Sequence, residues 1–345
     1  MKATTLKRII QMLLFSGTIL SMFFVPWTII WAWIQPLPDS VQQQTTEAID
    51  YGFDGIIVYV DQAGKEPEFY AAGWHDRDKK IPADPKALFK IASISKLYDA
   101  VAITRLVYEG RLSLEGTLAS YFPELVGRIE NTDRITLRML VQHRSGIPNF
   151  TDDPSFWIDP PQGSQETLAL ALDLPAQFEP GEAYAYSNTN YLLLTLLIEK
   201  TTGMSKHEFI TESILTPLGL HNTYGSIHEI EMDRLMSGYY VGVDEDIKSV
   251  DYGSMVASAE DVGVFLRALN DGSLLSEEEQ KIYSSIYVYE HTGLIAGYQS
   301  IAKYHRDIDT VVIQFVNTAH FEGYTWSLAE IAYNRVVRIL KKRKG

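Results

Sequence analysis

Hydrophobic and polar positions follow two periods along this chain, with strand-like runs at both ends of its main body and helical spacing between them. Two early and two late runs have the composition of β-strands, at residues 55–60, 68–72, 298–304 and 309–316. Helical spacing predicts the other elements, at residues 93–109, 135–142, 167–172, 189–201, 205–215, 259–270 and 326–341. Because strands and helices do not alternate, this order predicts an α+β fold in which distant segments form one sheet around an inserted helical region.

The longest hydrophobic run covers residues 9–34 and contains no charged residue. A membrane-spanning helix needs roughly 20 such residues, whereas the apolar part of a cleaved signal peptide has about 7–15. Three tryptophans lie at its far end, as in an interfacial belt, and three cations precede it, Lys2, Lys7 and Arg8. We expect residues 1–8 to be a cytoplasmic tail and 9–34 a single transmembrane signal anchor, with the body outside the cytoplasm at the cell membrane. A long cleaved signal peptide and a buried core helix are the alternatives.

Residues 35–50 are mostly polar and begin with two prolines, Pro36 and Pro38, which is typical of a short stiff linker. The remaining segment, residues 51–345, is long enough to bury a large core. We expect it to form the single extracytoplasmic domain.

Composition excludes several classes of function. The formal net charge of −14 argues against a surface that binds nucleic acid. The absence of cysteine excludes disulfides, a thiolate nucleophile and a zinc–thiolate site. The sequence contains neither the His-Glu-x-x-His motif of metalloproteases nor the Gly-x-Ser-x-Gly elbow of α/β-hydrolases. We therefore expect no metal and no cofactor.

Ser93 and Lys96 are the leading candidates for chemistry. Three residues apart in a predicted helix, they lie about one turn apart on the same face. A serine hydroxyl becomes a good nucleophile when a neighbouring base takes its proton, and a lysine in a dry pocket can be that base. The spacing alone also arises by chance, so the interpretation depends on the rest of the chain.

Two further motifs carry polar groups that suit such a site. Tyr186-Ser187-Asn188 lies on a loop before a helix, where a tyrosine can shuttle protons and an asparagine amide can hold a carbonyl. His291-Thr292-Gly293 directly precedes a predicted strand, whose edge can offer an amide to an oxyanion. Taken singly, Tyr186 also suits a packing role, Asn188 a helix cap and His291 a structural role.

Together these segments resemble the serine β-lactamase and penicillin-binding-protein superfamily, most closely its class C β-lactamase and D-alanyl-D-alanine carboxypeptidase-like branch. The resemblance extends to the stretches 140–148 and 253–261, and order and spacing agree from about residue 51 to the C-terminus. It implies a β-lactamase/transpeptidase-like fold, with an antiparallel sheet built from N- and C-terminal segments and flanked by helices.

The resemblance also implies a role for each residue of the first two motifs. Ser93 corresponds to the acylated nucleophile and Lys96 to the general base, which shares the proton with Tyr186. Tyr186 would protonate the leaving group, and Asn188 would orient the substrate amide.

The triplet 291–293 corresponds to the family's third motif and would bind substrate, with His291 in place of the lysine of many β-lactamases. The backbone N–H groups of Ser93 and Leu294 would form the oxyanion hole.

Two residues depart from the family pattern. Leu294 stands where a small residue is usual and is expected to crowd the oxyanion site. Asp99 lies one turn beyond Lys96; facing the lysine it would keep the amine protonated, but the expectation is that it points elsewhere.

These features predict a membrane-anchored extracytoplasmic serine hydrolase that forms an acyl-enzyme. Its expected partner is a small substrate, either a D-amino-acid peptide, a β-lactam or an ester. The alternative is a catalytically weak protein of the same fold that binds or senses cell-wall peptides.

Overall fold

The protein is built around one six-stranded sheet. The computed structural model describes residues 2–344, so Met1 of the predicted tail and Gly345 of the predicted domain lie outside the described residues. The strands are β1 (Gly55–Gln62), β2 (Glu68–Asp76), β3 (Ile81–Pro82), β4 (Phe89–Lys90), β5 (Thr223–Tyr224), β6 (Tyr239–Tyr240), β7 (Val256–Ala257), β8 (His291–Ile295), β9 (Tyr298–His305), β10 (Thr310–Val316) and β11 (Thr318–Ala319).

Most helices lie between the early and the late strands. They are α1 (Lys2–Met22), α2 (Trp27–Ile34), α3 (Val41–Glu47), α4 (Ser95–Tyr108), α5 (Leu118–Tyr121), α6 (Leu137–Val141), α7 (Ser155–Ile158), α8 (Ser164–Ala169), α9 (Asn188–Thr202), α10 (Lys206–Ile210), α11 (Thr216–Leu218), α12 (Ala259–Asp271), α13 (Glu277–Ile286) and α14 (Thr325–Lys344). A π-helical stretch, Thr211–Leu215, joins α10 to α11.

The sheet confirms the predicted α+β architecture. Its order is β3-β2-β1-β10-β9-β8, and every neighbouring pair is antiparallel. Strand β1 lies beside β10, with Ile56 opposite Val316, so the two ends of the domain meet in the middle of the sheet. Residues 55–60 are apolar at successive positions because helices cover both faces of this strand. Ile57 and Tyr59 face the core formed by α4, α9 and α12, whereas Ile56, Val58 and Val60 face the core formed with α14.

Several predicted helices have shifted bounds. The helix expected at 167–172 is α8 (Ser164–Ala169), and the one expected at 205–215 begins as α10 and continues through the π-helical stretch. Helix α13 is additional to those that the sequence predicted; Ser276 and Glu279 form a capping box at its start.

The expectation of one continuous helix over residues 9–34 is wrong. Helix α1 ends at Met22 and α2 begins at Trp27, with a bend of 76° between them. Pro26 immediately precedes α2, and its ring removes a backbone donor and disfavours helical geometry in the residue before it. Within residues 2–344 no single helix has both the length and the hydropathy of a membrane span, although the bent pair taken together has them.

The segment 35–50 is not the extended linker that its composition indicates. Ser40 caps α3, and Val41, Gln44 and Thr45 are buried against the domain. Arg335 of α14, itself 1% exposed, donates hydrogen bonds to Gln44 Oε1 at 2.6 Å and to the carbonyl oxygens of residues 35 and 36 at 2.8 and 2.7 Å. A buried guanidinium needs several acceptors, and this segment supplies them. It therefore belongs to the folded domain.

Candidate active site

The predicted nucleophile lies on a tightly held turn. Ser93 occupies a 3₁₀ turn, Ala92–Ile94, that leads into α4. Ala92 has a φ of 50°, a left-handed conformation that is uncommon for a residue with a side chain. Its N–H donates to Ser254 Oγ at 2.9 Å, while Ser300 Oγ donates to the Ile91 carbonyl oxygen at 2.9 Å. These two contacts hold the strained turn in place from both sides.

The structure brings four of the predicted site residues together. Tyr186 Oη donates to Ser93 Oγ at 2.8 Å, and Lys96 Nζ lies 3.4 Å from the same oxygen. Lys96 Nζ also donates to Asn188 Oδ1 at 2.8 Å and lies 5.1 Å from the centre of the Tyr186 ring. Lys96 is 6% exposed, and among the described residues no carboxylate forms an ion pair with it. The hydroxyl, the amine and the phenol therefore form one connected group around Ser93.

The alternative in which Asn188 caps the following helix is wrong. Asn188 is the first residue of α9, and its backbone N–H donates to Asn149 Oδ1 at 2.9 Å. Its side-chain Nδ2 donates to Thr151 Oγ1 at 3.2 Å, which turns Oδ1 toward Lys96. The amide is thus oriented into the site rather than along the helix.

The triplet 291–293 lies on strand β8 itself and not, as expected, directly before a strand. Strand β8 is an edge of the sheet and passes against the turn that carries Ser93. A Cβ atom on Gly293 would lie 2.5 Å from the Ile91 carbonyl oxygen and 2.4 Å from Ser300 Oγ. Glycine is therefore required for this close approach of the strand to the nucleophile turn.

His291 is a neutral imidazole beside the phenol. Its ring centre lies 6.5 Å from that of Tyr186, and its Nδ1 contacts the Thr292 carbonyl oxygen. Burial, aided by the nearby charge of Lys96, lowers the pKa of His291 to about 4. The ring consequently carries no charge at neutral pH, unlike a lysine at the same place.

The two residues that depart from the family pattern, Leu294 and Asp99, both point away from the reacting groups. Gly293 pairs with Ser300, whose hydroxyl faces the nucleophile turn, and Leu294 pairs with Gln299, the residue before Ser300. Because successive side chains of a strand point to opposite faces, Leu294 points away from the Ser93 side, and the expected crowding does not arise. Asp99 Oδ1 lies 3.2 Å from Lys206 Nζ, which confirms that it points away from Lys96.

His143 belongs to the site although the sequence attached no chemistry to it. Its ring stacks on Tyr186 with centres 4.3 Å apart, and on Tyr191 at 5.0 Å. Its Nδ1 accepts the Ser187 N–H at 3.2 Å, and burial lowers its pKa to about 3. Because this contact joins residues 44 positions apart, no local pattern predicts it; the stretch 140–148 was noted only for its resemblance to the family.

No group of three or more His, Asp or Glu side chains in residues 2–344 is placed to hold a metal ion.

Comparison with known proteins identifies the family of this chain. The family model described as Beta-lactamase matches residues 32–285, well over half of the chain. The chain belongs to this family. The match confirms, at the level of the family, the resemblance that the motifs indicated.

Two curated relatives cover only part of the chain. Protein flp of Staphylococcus aureus (strain COL) is 31% identical over 194 residues, which are 54% of this chain and 39% of the relative. Penicillin-binding protein 4* of Bacillus subtilis (strain 168) is 31% identical over 205 residues, 58% of this chain and 44% of the relative. The chain therefore spans less than half the length of these relatives.

Solved structures extend the match to most of the chain. The D-amino acid amidase of Ochrobactrum anthropi SV3 is 24% identical, with a TM-score of 0.79 over 88% of this chain and 98% of the amidase. A penicillin-binding protein from Bacillus halodurans is 21% identical, with a TM-score of 0.73 over 88% and 99% of the two chains. At these identities the likeness establishes a common fold.

Proposed function

We propose that this protein is a serine hydrolase that works through an acyl-enzyme on Ser93, with a D-amino-acid peptide, a β-lactam or an ester as substrate. The observation that carries the proposal is the double contact of Ser93 Oγ, with Tyr186 Oη at 2.8 Å and with Lys96 Nζ at 3.4 Å. A hydroxyl that touches two groups able to accept and return a proton has what nucleophilic catalysis requires.

In the proposed acylation step, Ser93 Oγ attacks the substrate carbonyl carbon and its proton passes to Lys96, either directly or through Tyr186. The partners of Lys96 Nζ support this role, because they are a hydroxyl, an amide oxygen and aromatic rings rather than a carboxylate that would hold the ammonium form. When the tetrahedral intermediate collapses, the bond to the leaving group breaks and Tyr186 donates the proton to it.

We further propose that the backbone N–H groups of Ser93 and Leu294 stabilise the oxyanion. Their elements lie side by side, since the edge strand β8 packs against the turn that carries Ser93. Water then attacks the acyl-enzyme, loses a proton to Tyr186 or Lys96, and releases the acid while Ser93 recovers its hydrogen.

We also propose that the N-terminal helices attach the protein to the cell membrane, with the domain on the extracytoplasmic side. Support comes from the uncharged run 9–34, from the cations Lys7 and Arg8 before it, and from the exposed Phe23 and Phe24 at the helix break, each 79% exposed. Fractionation of expressing cells, followed by protease treatment of intact spheroplasts, tests this. Domain cleavage only after lysis would contradict it.

The catalytic proposal is tested on the full chain in detergent with a fluorescent penicillin, a nitrophenyl ester and a D-alanyl-D-alanine peptide. Ser93→Ala should abolish both labelling and turnover. Ser95→Ala is the matched control, because Ser95 directly follows the nucleophile turn as the first residue of α4 and its hydroxyl donates to the Ala92 carbonyl oxygen. Binding of wall peptides without Ser93-dependent acylation or turnover of any probe would refute the hydrolase and favour the binding or sensing protein.

A further inference from the structure

One residue, His143, holds the loop that carries Tyr186 by three separate contacts. Its carbonyl oxygen accepts the Ala185 N–H at 3.0 Å, and its Nδ1 accepts the Ser187 N–H at 3.2 Å. Its ring stacks on the Tyr186 ring, with 4.3 Å between the ring centres and 28° between the planes. The residue that bears the phenol and both of its chain neighbours are therefore held by His143.

The imidazole of His143 is also stacked on a tyrosine that belongs to the core. Tyr191, on α9, is buried, and its ring centre lies 5.0 Å from that of His143. Its hydroxyl donates to the carbonyl oxygen of Val141, the last residue of α6, at 3.1 Å. The imidazole thus connects the phenol of Tyr186 to two packed helices.

Two features of His143 lower the stability of the fold. Its φ of 56° lies in the left-handed region, which is uncommon for a residue with a side chain. Because Nδ1 accepts a hydrogen bond, the ring hydrogen lies on Nε2, and this buried atom has no partner within residues 2–344. A buried donor without a partner is unfavourable. Strain of this kind beside a nucleophile points to a role in function rather than in stability.

The phenol oxygen of Tyr186 has a single hydrogen-bond partner in the described chain. This partner is Ser93 Oγ, at 2.8 Å. In the proposed function the same oxygen later gives a proton to the leaving group, so it has to lie within reach of both atoms. A misplacement of about 1 Å can lower a rate about a hundredfold. What holds the ring of Tyr186 therefore decides whether the proton is delivered.

Resting on the proposed function, we infer that His143 is a positioning residue, which holds the Tyr186 phenol where it meets both Ser93 and the leaving group. Among the described residues, His143 makes no hydrogen bond with Ser93 or Lys96, so its influence on the reaction passes through Tyr186. The influence should fall on leaving groups that need a proton, such as an amine. It should spare those that leave as anions, such as nitrophenolate.

The first test is structural and does not depend on activity. In His143→Asn the new side chain keeps an acceptor near the Nδ1 position and tolerates a left-handed φ, but the stacked ring is lost. In a crystal structure of the full chain, we expect the distance from Tyr186 Oη to Ser93 Oγ to increase from 2.8 Å to more than about 3.5 Å. His305→Asn is the matched control, since His305 also contacts a tyrosine, Tyr333, but in the core formed with α14.

The second test is kinetic and compares two substrates with the same acyl group, the nitrophenyl ester and the nitroanilide of N-acetyl-D-alanine. We expect His143→Asn to lower kcat on the anilide about tenfold at an unchanged KM, and ester turnover by less than about twofold. When Tyr186→Phe is already present, His143→Asn should lower anilide turnover by less than about twofold further. The same cycle with His143→Phe, which keeps a ring but loses the acceptor, gives a second variant.

An unchanged distance from Tyr186 Oη to Ser93 Oγ in His143→Asn would overturn the inference. Equal losses on ester and anilide, or a loss that adds in full to that of Tyr186→Phe, would overturn it as well. Failure of the proposed function is distinguishable, because no Ser93-dependent turnover of either substrate would then occur. In that case, or if only the ester is hydrolysed, the distance in the crystal structure decides whether His143 positions the phenol.

Discussion

Two buried lysines stand on either side of the nucleophile turn, and their surroundings differ. Lys90, at the end of β4, is 1% exposed, and its Nζ donates to the Val250 carbonyl oxygen at 2.6 Å. Lys96, on the first turn of α4, is 6% exposed and contacts the Ser93 hydroxyl and the Asn188 amide. Burial lowers the pKa of Lys90 to about 8.

The two lysines show that burial alone does not make a lysine a base for Ser93. Lys90 has the depressed pKa that is often taken as the mark of a functional lysine, but its hydrogen-bond partner is a carbonyl oxygen, which has no proton to give. Lys96 touches a hydroxyl that can be deprotonated. What makes a lysine a base for Ser93 is the position of its Nζ, and only one of the two has that position.

Among these variants, Lys96→Met should cause the largest loss of activity. Removing the proposed base should lower kcat/KM for the nitrophenyl ester by about a thousandfold, since general-base contributions are about 10²–10⁴-fold. Circular dichroism checks the fold of the variant. Retention of more than a tenth of the activity would exclude Lys96 as the base.

Tyr186→Phe is the next largest change, because it removes the oxygen 2.8 Å from Ser93 Oγ and keeps the ring that stacks on His143. We expect a loss of about a hundredfold in kcat on a peptide and a much smaller loss on the nitrophenyl ester. A nitrophenolate leaves without a proton, whereas an amine does not. Equal losses on the two substrates would contradict proton donation by Tyr186.

His143→Phe tests the role of the ring that stacks on Tyr186. It should also change how the free energy of unfolding depends on pH. Below about pH 6.5 the unfolded chain protonates this histidine, whereas the folded protein does so only near pH 3. The free energy of unfolding therefore decreases as the pH is lowered from about 6.5 to about 3. In the variant, the pH dependence of the free energy of unfolding should be smaller by up to about 1.4 kcal/mol per pH unit.

At pH 7 the same variant should be destabilised by about 1–3 kcal/mol, because the buried Ser187 N–H loses its acceptor. Urea unfolding at pH 4.5, 5.5 and 7 measures both effects. An unchanged slope would show that His143 is already charged in the folded protein over this pH range, which would contradict a lowered pKa.

Lys90→Met should have the smallest effect on activity, less than about threefold, and serves as the matched control for Lys96→Met. It replaces a buried cation without an ion pair by an apolar side chain of similar length, so stability at pH 7 should change by no more than about 1 kcal/mol. A loss of activity comparable to that of Lys96→Met would show that burial, rather than position, sets the role of these lysines.

The local part of the site was predictable from the sequence. Ser93 and Lys96 are one helical turn apart, so their contact follows from spacing once the helix forms. Resemblance to the family added Tyr186 and Asn188, which the structure brings to the same place. The exported location and the roles in the oxyanion hole stay predictions.

Other parts of the site were beyond sequence reasoning. The stacking of His143 on Tyr186 and the support of Ala92 by Ser254 join residues that are 43 and 162 positions apart. Outside the site, the polar composition of segment 35–50 predicts a linker. Its hydrogen bonds with Arg335 of α14 form only in the folded protein and join residues far apart in the sequence.

Local periodicity predicted most of the main-body strands and helices and the order in which they occur, but not α3 or α13. Periods of two and of about 3.6 residues decide which side chains share a face within a strand or a helix, and that information is local. Packing of separate elements brings Tyr186 and Asn188 to Ser93 and Lys96. It also turns Leu294 away from the nucleophile and requires a glycine at position 293. These outcomes depend on how separate elements pack and on strand register, which local periodicity does not specify.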